Sequence, residues 1–134
     1  ELSAIFQHVE MSNKKYGKVS VAKALKIIPN YTEKFIYELS ELRNKLVHDI
    51  RNVNFTFKEY LSTLDKQQKQ KIFNNLGSTI KPELREKYIT RKPKQTILSN
   101  AVFCLSTIQM EQKICALEND ISKLSSEYTS LKVC

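Results

Sequence analysis

The sequence predicts an all-α fold, a helical bundle that ends in a long C-terminal helix. Only 2 glycines and 3 prolines occur among 134 residues, so few residues favour the tight turns of a sheet-rich fold. Apolar residues recur at intervals of three and four along most of the chain, which is the spacing of one helix face. A chain of this length can bury its own core, and we therefore expect a single domain over residues 1–134.

Two helices are predicted before the middle of the chain. The first has apolar residues at helical spacing, namely Leu2, Ile5, Phe6 and Val9. No carboxylate, second histidine or cysteine stands at metal-ligand spacing from His8, so we interpret it as a surface or partly packed histidine. The second helix runs over residues 19–28 and ends before Pro29, because proline disrupts a helix interior. Thr32 is the predicted N-cap of the helix that follows, with Glu33 at the positive end of its dipole.

The third predicted helix carries the most regular apolar stripe of the chain. Its members step by four, three, four and four residues: Phe35, Leu39, Leu42, Leu46 and Ile50. Asn44 and His48 are four residues apart and share the opposite face. Arg43 is five residues before His48, about 140° around an ideal helix, and therefore flanks the stripe.

Three shorter segments are delimited by capping residues and prolines. After a break at residues 52–54, one helix carries the apolar residues Phe57, Tyr60, Leu61 and Leu64. Asp65 is the predicted N-cap of the next helix, which ends at Gly77. Pro82 favours a helix start and Pro93 a break.

The last helix is predicted from about Thr96 to the C-terminus. Apolar residues near its start are expected in the core: Ala101, Leu105 and Ile108. Further on, the spacing is that of a heptad repeat over three heptads, formed by Met110, Ile114, Leu117, Ile121, Leu124, Tyr128 and Leu131. Residues 110–134 are therefore either a coiled-coil extension that dimerises with a second chain or a helix that packs on its own domain.

The net charge of +8 is concentrated in two blocks. Residues 66–94 contain nine basic and two acidic residues, and residues 1–26 contain five basic and two acidic residues. Clustered positive charge favours a polyanionic partner such as nucleic acid; the alternative is a well-solvated lysine-rich face. The candidate nucleic-acid-binding residues are Lys14, Lys15, Lys18, Lys66, Lys69, Lys71, Lys81, Arg85, Lys87, Arg91, Lys92 and Lys94.

The sequence lacks the residues that several classes of functional site require. Two glycines sixty residues apart form no phosphate-binding loop, and the two histidines and three cysteines form no metal-binding pattern. We expect no cofactor and no metal. Cys104 and Cys115 are expected to pack in the core, and the odd cysteine number favours a reducing, cytoplasmic location. No apolar run is long enough to predict a membrane span.

Arg43, Asn44 and His48 together could cleave RNA without a metal. Histidine is available in both protonation states near neutral pH, so it can exchange a proton with the 2′-hydroxyl or with the leaving oxygen. Arginine can hold the phosphate and stabilise the charge that develops on it. The 2′-hydroxyl is itself the nucleophile, and no protein nucleophile is required.

The stretch ELRNKLVHDI, residues 41–50, resembles the motif helix of the HEPN superfamily. That family is marked by arginine, a polar residue and then histidine within a gap of four to six residues. The longer stretch YGKVSVAKALKIIPNYTEKFIYELSELRNKLVHD is similar to the branch related to the mannitol operon repressor. In that branch, a turn formed by an aromatic residue, glycine and lysine precedes a short helix, and a second helix ends in Leu-Arg-Asn followed by histidine. The resemblance covers residues 16–50, about a quarter of the chain.

The resemblance implies a function and a site. Arg43 and His48 would be the catalytic pair and Asn44 their polar companion, in a four- or five-helix bundle that dimerises so that two motifs face one cleft. Many members are metal-independent endoribonucleases of toxin–antitoxin and antiviral defence systems, so the implied partners are RNA, a second copy and an antitoxin or regulatory protein. Position 50 is Ile50, where some toxin members carry tyrosine.

Two alternatives to an active enzyme follow from the same residues. Other HEPN members keep the motif yet act as regulators or interaction domains, and the repressor-like branch is where catalysis is least established. Alternatively, the motif is structural: Arg43 pairs with Glu41 or Asp49, and Asn44 ties His48 to the helix end. The chain would then be a helical bundle unrelated to the superfamily.

Overall fold

The computed structural model describes residue 10 and residues 13–15, 17–48 and 56–132, with the backbone alone at 48, 131 and 132. This part of the chain contains α-helices and no strand, which confirms the all-α prediction. The helices are α1 (Lys18–Ala24), α2 (Asn30–His48), α3 (Phe57–Ser62), α4 (Lys66–Leu76), α5 (Pro82–Arg91) and α6 (Pro93–Lys132). The predicted long C-terminal helix is α6, with 40 residues. Within the same described ranges, no helix combines the length and the apolar character that a membrane crossing needs.

Capping residues set the predicted boundaries of the middle helices. Asp65 is the N-cap of α4: its Oδ1 accepts from the Gln68 backbone N–H (2.8 Å), and Gln68 Oε1 accepts from the Asp65 N–H (3.2 Å). Thr56 caps α3 by accepting from the Glu59 N–H at 3.2 Å. Pro82 and Pro93 are the first residues of α5 and α6, where the missing proline N–H costs no helical hydrogen bond.

Two predicted boundaries near Pro29 are wrong. The helix expected over residues 19–28 ends at Ala24, and Lys26 adopts a left-handed φ of 57°. Thr32 is not an N-cap, because α2 already begins at Asn30 and the Thr32 N–H donates to the Pro29 carbonyl at 3.1 Å. The predicted N-terminal helix, with His8, lies outside the described residues.

The core is formed where α2, α4, α5 and α6 pack against one another, with α3 closing one side. Its buried side chains are Phe35, Leu42, Leu61, Ile72, Phe73, Leu76, Ile89 and Cys104. Gly77 allows the close approach of α4 and α5, since a Cβ there would lie 2.8 Å from the Phe73 carbonyl oxygen and 3.0 Å from Ile89 Cδ1. The predicted stripe of α2 is thus confirmed for Phe35 and Leu42, while Leu46 is 37% exposed and Ile50 lies outside the described residues.

The inward side of α6 differs from the predicted one. Ala101 packs against the core as expected and Ile108 is partly buried, but Leu105 is 61% exposed. The buried residues instead follow a four-residue step, Thr96, Asn100 and Cys104. Leu105 lies about 100° around the helix from Cys104 and therefore faces away from the bundle.

Candidate functional site

The candidate motif lies on the last turns of α2. The N-terminal part of this helix is held in the core by Phe35 and Leu42, whereas Arg43 and Asn44 are exposed. His48 is the last residue of α2, and its side chain lies outside the described residues. The structure therefore places Arg43 and Asn44 together on a solvent-accessible helix end that also carries the His48 backbone.

Arg43 and Asn44 contact each other directly. Arg43 Nη1 donates to Asn44 Oδ1 at 3.3 Å. The alternative in which Arg43 pairs with Glu41 is not observed, since Glu41 instead accepts from Lys14 Nζ (3.2 Å) and Lys71 Nζ (3.3 Å). The other alternative involves Asp49, which lies outside the described residues. Arg43 thus keeps its charge at the surface, with an amide as its neighbour.

An acidic and basic cluster lies one turn before the motif on α2. Lys71 Nζ bridges Glu38 and Glu41, at 3.3 Å from each carboxylate, and Lys14 reaches Glu41 from outside the bundle. Partial burial alone would raise the pKa of Glu41, but the hydrogen bonds and charges of Lys14 and Lys71 hold that pKa below its ordinary value. The two carboxylates in turn raise the pKa of Lys71 against the opposing effect of burial. Asn75 Nδ2 donates to the buried Glu38 carboxylate at 2.8 Å, and this hydrogen bond further stabilises the buried negative charge.

The predicted nucleic-acid-binding residues divide into two groups. In three of them the structure shows specific partners: Lys14 and Lys71, which are both exposed, form the ion pairs above, and the partly buried Arg85 donates from Nε to the Ile80 carbonyl (2.9 Å) and from Nη1 to Asn74 Oδ1 (3.0 Å). Of the other nine, Lys18 and Lys69 are partly buried and seven are exposed, namely Lys15, Lys66, Lys81, Lys87, Arg91, Lys92 and Lys94. Four of the exposed residues, Lys87, Arg91, Lys92 and Lys94, follow one another around the junction of α5 and α6.

A polar surface depression was not predicted from the sequence. It has a volume of about 480 Å³, lies between the start of α2, the end of α4 and α5, and is lined by Asn30, Tyr31, Lys34, Asn74, Asn75, Ser78 and Arg85. These residues come from three helices and the turn after α4, and they share no local spacing, so no sequence pattern could have grouped them. Its two charged side chains, Lys34 and Arg85, are both basic.

The two described cysteines differ in burial, and neither belongs to a metal site. Cys104 is buried as predicted, and burial raises the pKa of its thiol, which the Thr32 hydroxyl partly opposes. Cys115 is exposed, so its predicted core position is wrong. Within the described ranges, no three His, Cys, Asp or Glu side chains lie close enough to hold a metal ion.

Comparison with known proteins gives no assignment for this chain. No protein-family model, curated protein or solved structure matches it. Function is therefore inferred from the motif, its exposure and its neighbours.

Proposed function

We propose that this protein is a metal-independent endoribonuclease of the HEPN type, active in a defence or toxin system. Arg43 and His48 would be its catalytic pair at a cleft between two copies of the chain. The observation that carries the proposal is the exposure of Arg43 and Asn44, joined by a 3.3 Å hydrogen bond, on the end of α2. A ribonuclease motif must be open to solvent for a phosphodiester to reach it.

The proposed reaction is transesterification of RNA. The 2′-hydroxyl loses its proton to a base, and its oxygen attacks the adjacent phosphorus. The bond from phosphorus to the 5′-oxygen breaks, that oxygen takes up a proton, and a 2′,3′-cyclic phosphate remains. His48 acts as the base or as the acid, and Arg43 stabilises the negative charge on the phosphate as it increases. Asn44, which already accepts from Arg43, orients the guanidinium.

The exposed basic residues support RNA as the substrate. Lys87, Arg91, Lys92 and Lys94 are exposed around one corner of the bundle, where they can contact backbone phosphates. Counterion release makes such binding depend on salt, and each phosphate contacted adds about 0.7 to the slope of log K against log salt concentration for single strands. Affinity for RNA should therefore fall steeply between low and physiological salt.

A catalytically silent regulator of the same type is the second candidate. It is favoured by the ion pairs of Lys14 and Lys71 with Glu41, which offset part of the positive charge that is predicted to bind RNA. Such a protein would act by binding a protein or nucleic acid. The two candidates differ in one property, which is whether bound RNA is cut.

The test is cleavage of a structured RNA pool in EDTA by the native chain, Arg43→Ala and His48→Ala. We expect cleavage that leaves 2′,3′-cyclic phosphate ends and falls by about 100-fold or more in each variant, since both groups act on the transition state. Two matched controls should cut normally: Lys58→Ala, which removes an exposed charge on α3, and His8→Ala, which removes the other histidine.

Three results would reject the ribonuclease assignment. One is a native chain that binds RNA and does not cut it, which would favour the regulator. Another is equal cutting by the native chain and both motif variants, which would indicate a contaminating nuclease. The third is activity that EDTA abolishes.

A further inference from the structure

The C-terminal half of α6 carries an apolar stripe that is exposed in the part of the chain that the structure describes. Every described side chain from residue 112 to residue 130 is exposed. The stripe follows heptad positions a and d, and its exposed fractions are 64% for Met110, 43% for Ile114, 61% for Leu117, 65% for Ile121, 64% for Leu124 and 61% for Tyr128. These exposures do not show the alternative in which this segment packs on its own bundle.

An uncovered helix of this kind lacks its usual source of stability. Most helical stability in proteins comes from packing of the apolar face, and isolated helices are marginal in water. Residues 110–130 are about 30 Å long and present one continuous apolar stripe. A contiguous exposed apolar surface marks an interaction site, and the length and heptad spacing of this one fit another helix.

We propose that this face pairs with a second copy of the chain as a parallel, two-stranded coiled coil. The residue types at the seam select this arrangement. Ile114 and Ile121 occupy position a, and Leu117 and Leu124 occupy position d. β-Branched residues at a with leucine at d favour two parallel strands over three or four.

The flanking charges fit the same orientation. In a parallel pair, position g of one helix lies beside position e of the next heptad in the partner. Lys113 at g then meets Glu118 at e of the second copy, and by sequence position Glu127 at g meets Lys132 at e. The remaining pairs, Ser106 with Glu111 and Asp120 with Ser125, contain no like charges. An in-register parallel dimer thus has four favourable ion pairs and no repulsive one.

Parallel pairing has a consequence for the rest of the molecule. Both bundles lie at the same end of the coil, so both copies of α2 are held near each other rather than at opposite ends. The inference is independent of the proposed ribonuclease activity. A silent regulator would dimerise in the same way, and the two proposals can therefore fail separately.

The first test is the mass of the full chain in solution by sedimentation equilibrium. We expect twice the 15.6 kDa chain mass at micromolar concentration. Leu117→Lys should raise the dissociation constant about 100-fold or more, because it puts two charges into an apolar seam. Asn119→Lys adds the same charge two residues away at the outward position f and should leave the mass unchanged. Both sites are exposed within the chain, so the bundle itself should stay folded in each variant.

The second test is disulfide trapping of the orientation in a Cys115→Ser/Cys134→Ser background. In a parallel, in-register pair, residue 117 of one chain faces residue 117 of the other within disulfide distance, so Leu117→Cys should cross-link on mild oxidation. Asn119→Cys, on the outer surface, should not. A monomer at all concentrations, a trimer or tetramer, a dimer unaffected by Leu117→Lys, or cross-linking of Asn119→Cys in place of Leu117→Cys would each overturn the proposal.

Discussion

The two halves of α6 reverse the usual relation between polarity and burial. In the first half the polar Asn100 is 1% exposed, while in the second half the apolar Leu117 is 61% exposed. Asn100 is buried because its polar atoms are bonded: its Oδ1 accepts from the Thr79 N–H (3.1 Å) and hydroxyl (2.6 Å), and its Nδ2 donates to the Thr96 carbonyl (2.9 Å). Leu117 is exposed because no other helix among the described residues covers it. Burial thus follows from what the helix packs against, and polarity decides only whether hydrogen bonds must accompany it.

Helix α2 shows the same division on a smaller scale. Phe35 and Leu42 are buried, whereas Leu46 and Val47 are 37% and 57% exposed. The helix therefore leaves the core just where the Arg43 motif begins. Arg43 and Asn44 are exposed at this end, so a ligand or a partner can reach them without a change in the core.

The largest effect is expected from truncating a side chain in the bundle-facing region. Ile89 is fully buried between α4 and α6, so Ile89→Ala should lower the free energy of unfolding by about 3 kcal/mol. Leu124→Ala removes a 64% exposed side chain and should change the unfolding of the single chain by less than about 0.5 kcal/mol. Urea unfolding followed by circular dichroism measures both.

Protein concentration makes this comparison sharper. The loss in Ile89→Ala should be the same at every concentration, because the cavity lies within one chain. The loss in Leu124→Ala should increase with concentration, because the native chain gains stability from dimerisation only where dimers form. A concentration-independent loss of several kcal/mol in Leu124→Ala would mean that this segment packs on its own bundle.

The next largest effect is expected from removing a buried amide. Asn100→Ala leaves the Thr79 N–H and hydroxyl without their acceptor and opens a small cavity, so it should cost about 2 kcal/mol. Asn119→Ala changes the same residue type on the exposed half of α6 and should be near neutral. Equal stability of the two variants would show that burial at Asn100 contributes nothing beyond helix propensity.

Sequence patterns predicted those parts of the fold that depend on local chemistry. The Asp65 cap, the start at Pro82 and the stripe of Phe35 and Leu42 all follow from the spacing of neighbouring residues. The inward side of α6 could not be predicted, because Leu105 is more apolar than Asn100. The donors that bond the Asn100 side-chain oxygen come from Thr79, in the turn after α4. Tertiary hydrogen bonds of this kind leave no periodic signal.

The residues of the candidate site could be predicted from the sequence, but the ion pairs around them could not. The sequence singles out Arg43, Asn44 and His48, and the structure joins the first two by a hydrogen bond. The ion pairs of Glu41 with Lys14 and Lys71 were not predictable, because Lys71 and Glu41 are thirty residues apart and meet only when α4 packs on α2. The sequence therefore could not show that two of the candidate RNA-binding lysines also form ion pairs with Glu41.

The smallest effect is expected at Glu41, which lies between the buried and exposed extremes with its side chain 44% exposed. Its pKa is lowered in the folded chain, so its contribution is fully present above the ordinary glutamate pKa of about 4.3 and is lost as the pH falls through the lower folded value. Glu41→Gln should cost less than about 1 kcal/mol near pH 7, because solvent screens the two lysine pairs. It should also make stability less dependent on pH in the acid range.

Glu86→Gln, which removes an exposed carboxylate on α5, is the matched control in thermal unfolding from pH 3 to pH 7. If Glu41→Gln and Glu86→Gln give the same pH profile, the Glu41 ion pairs add nothing to stability, and Lys14 is available to bind RNA, whereas Lys71 still pairs with the buried Glu38.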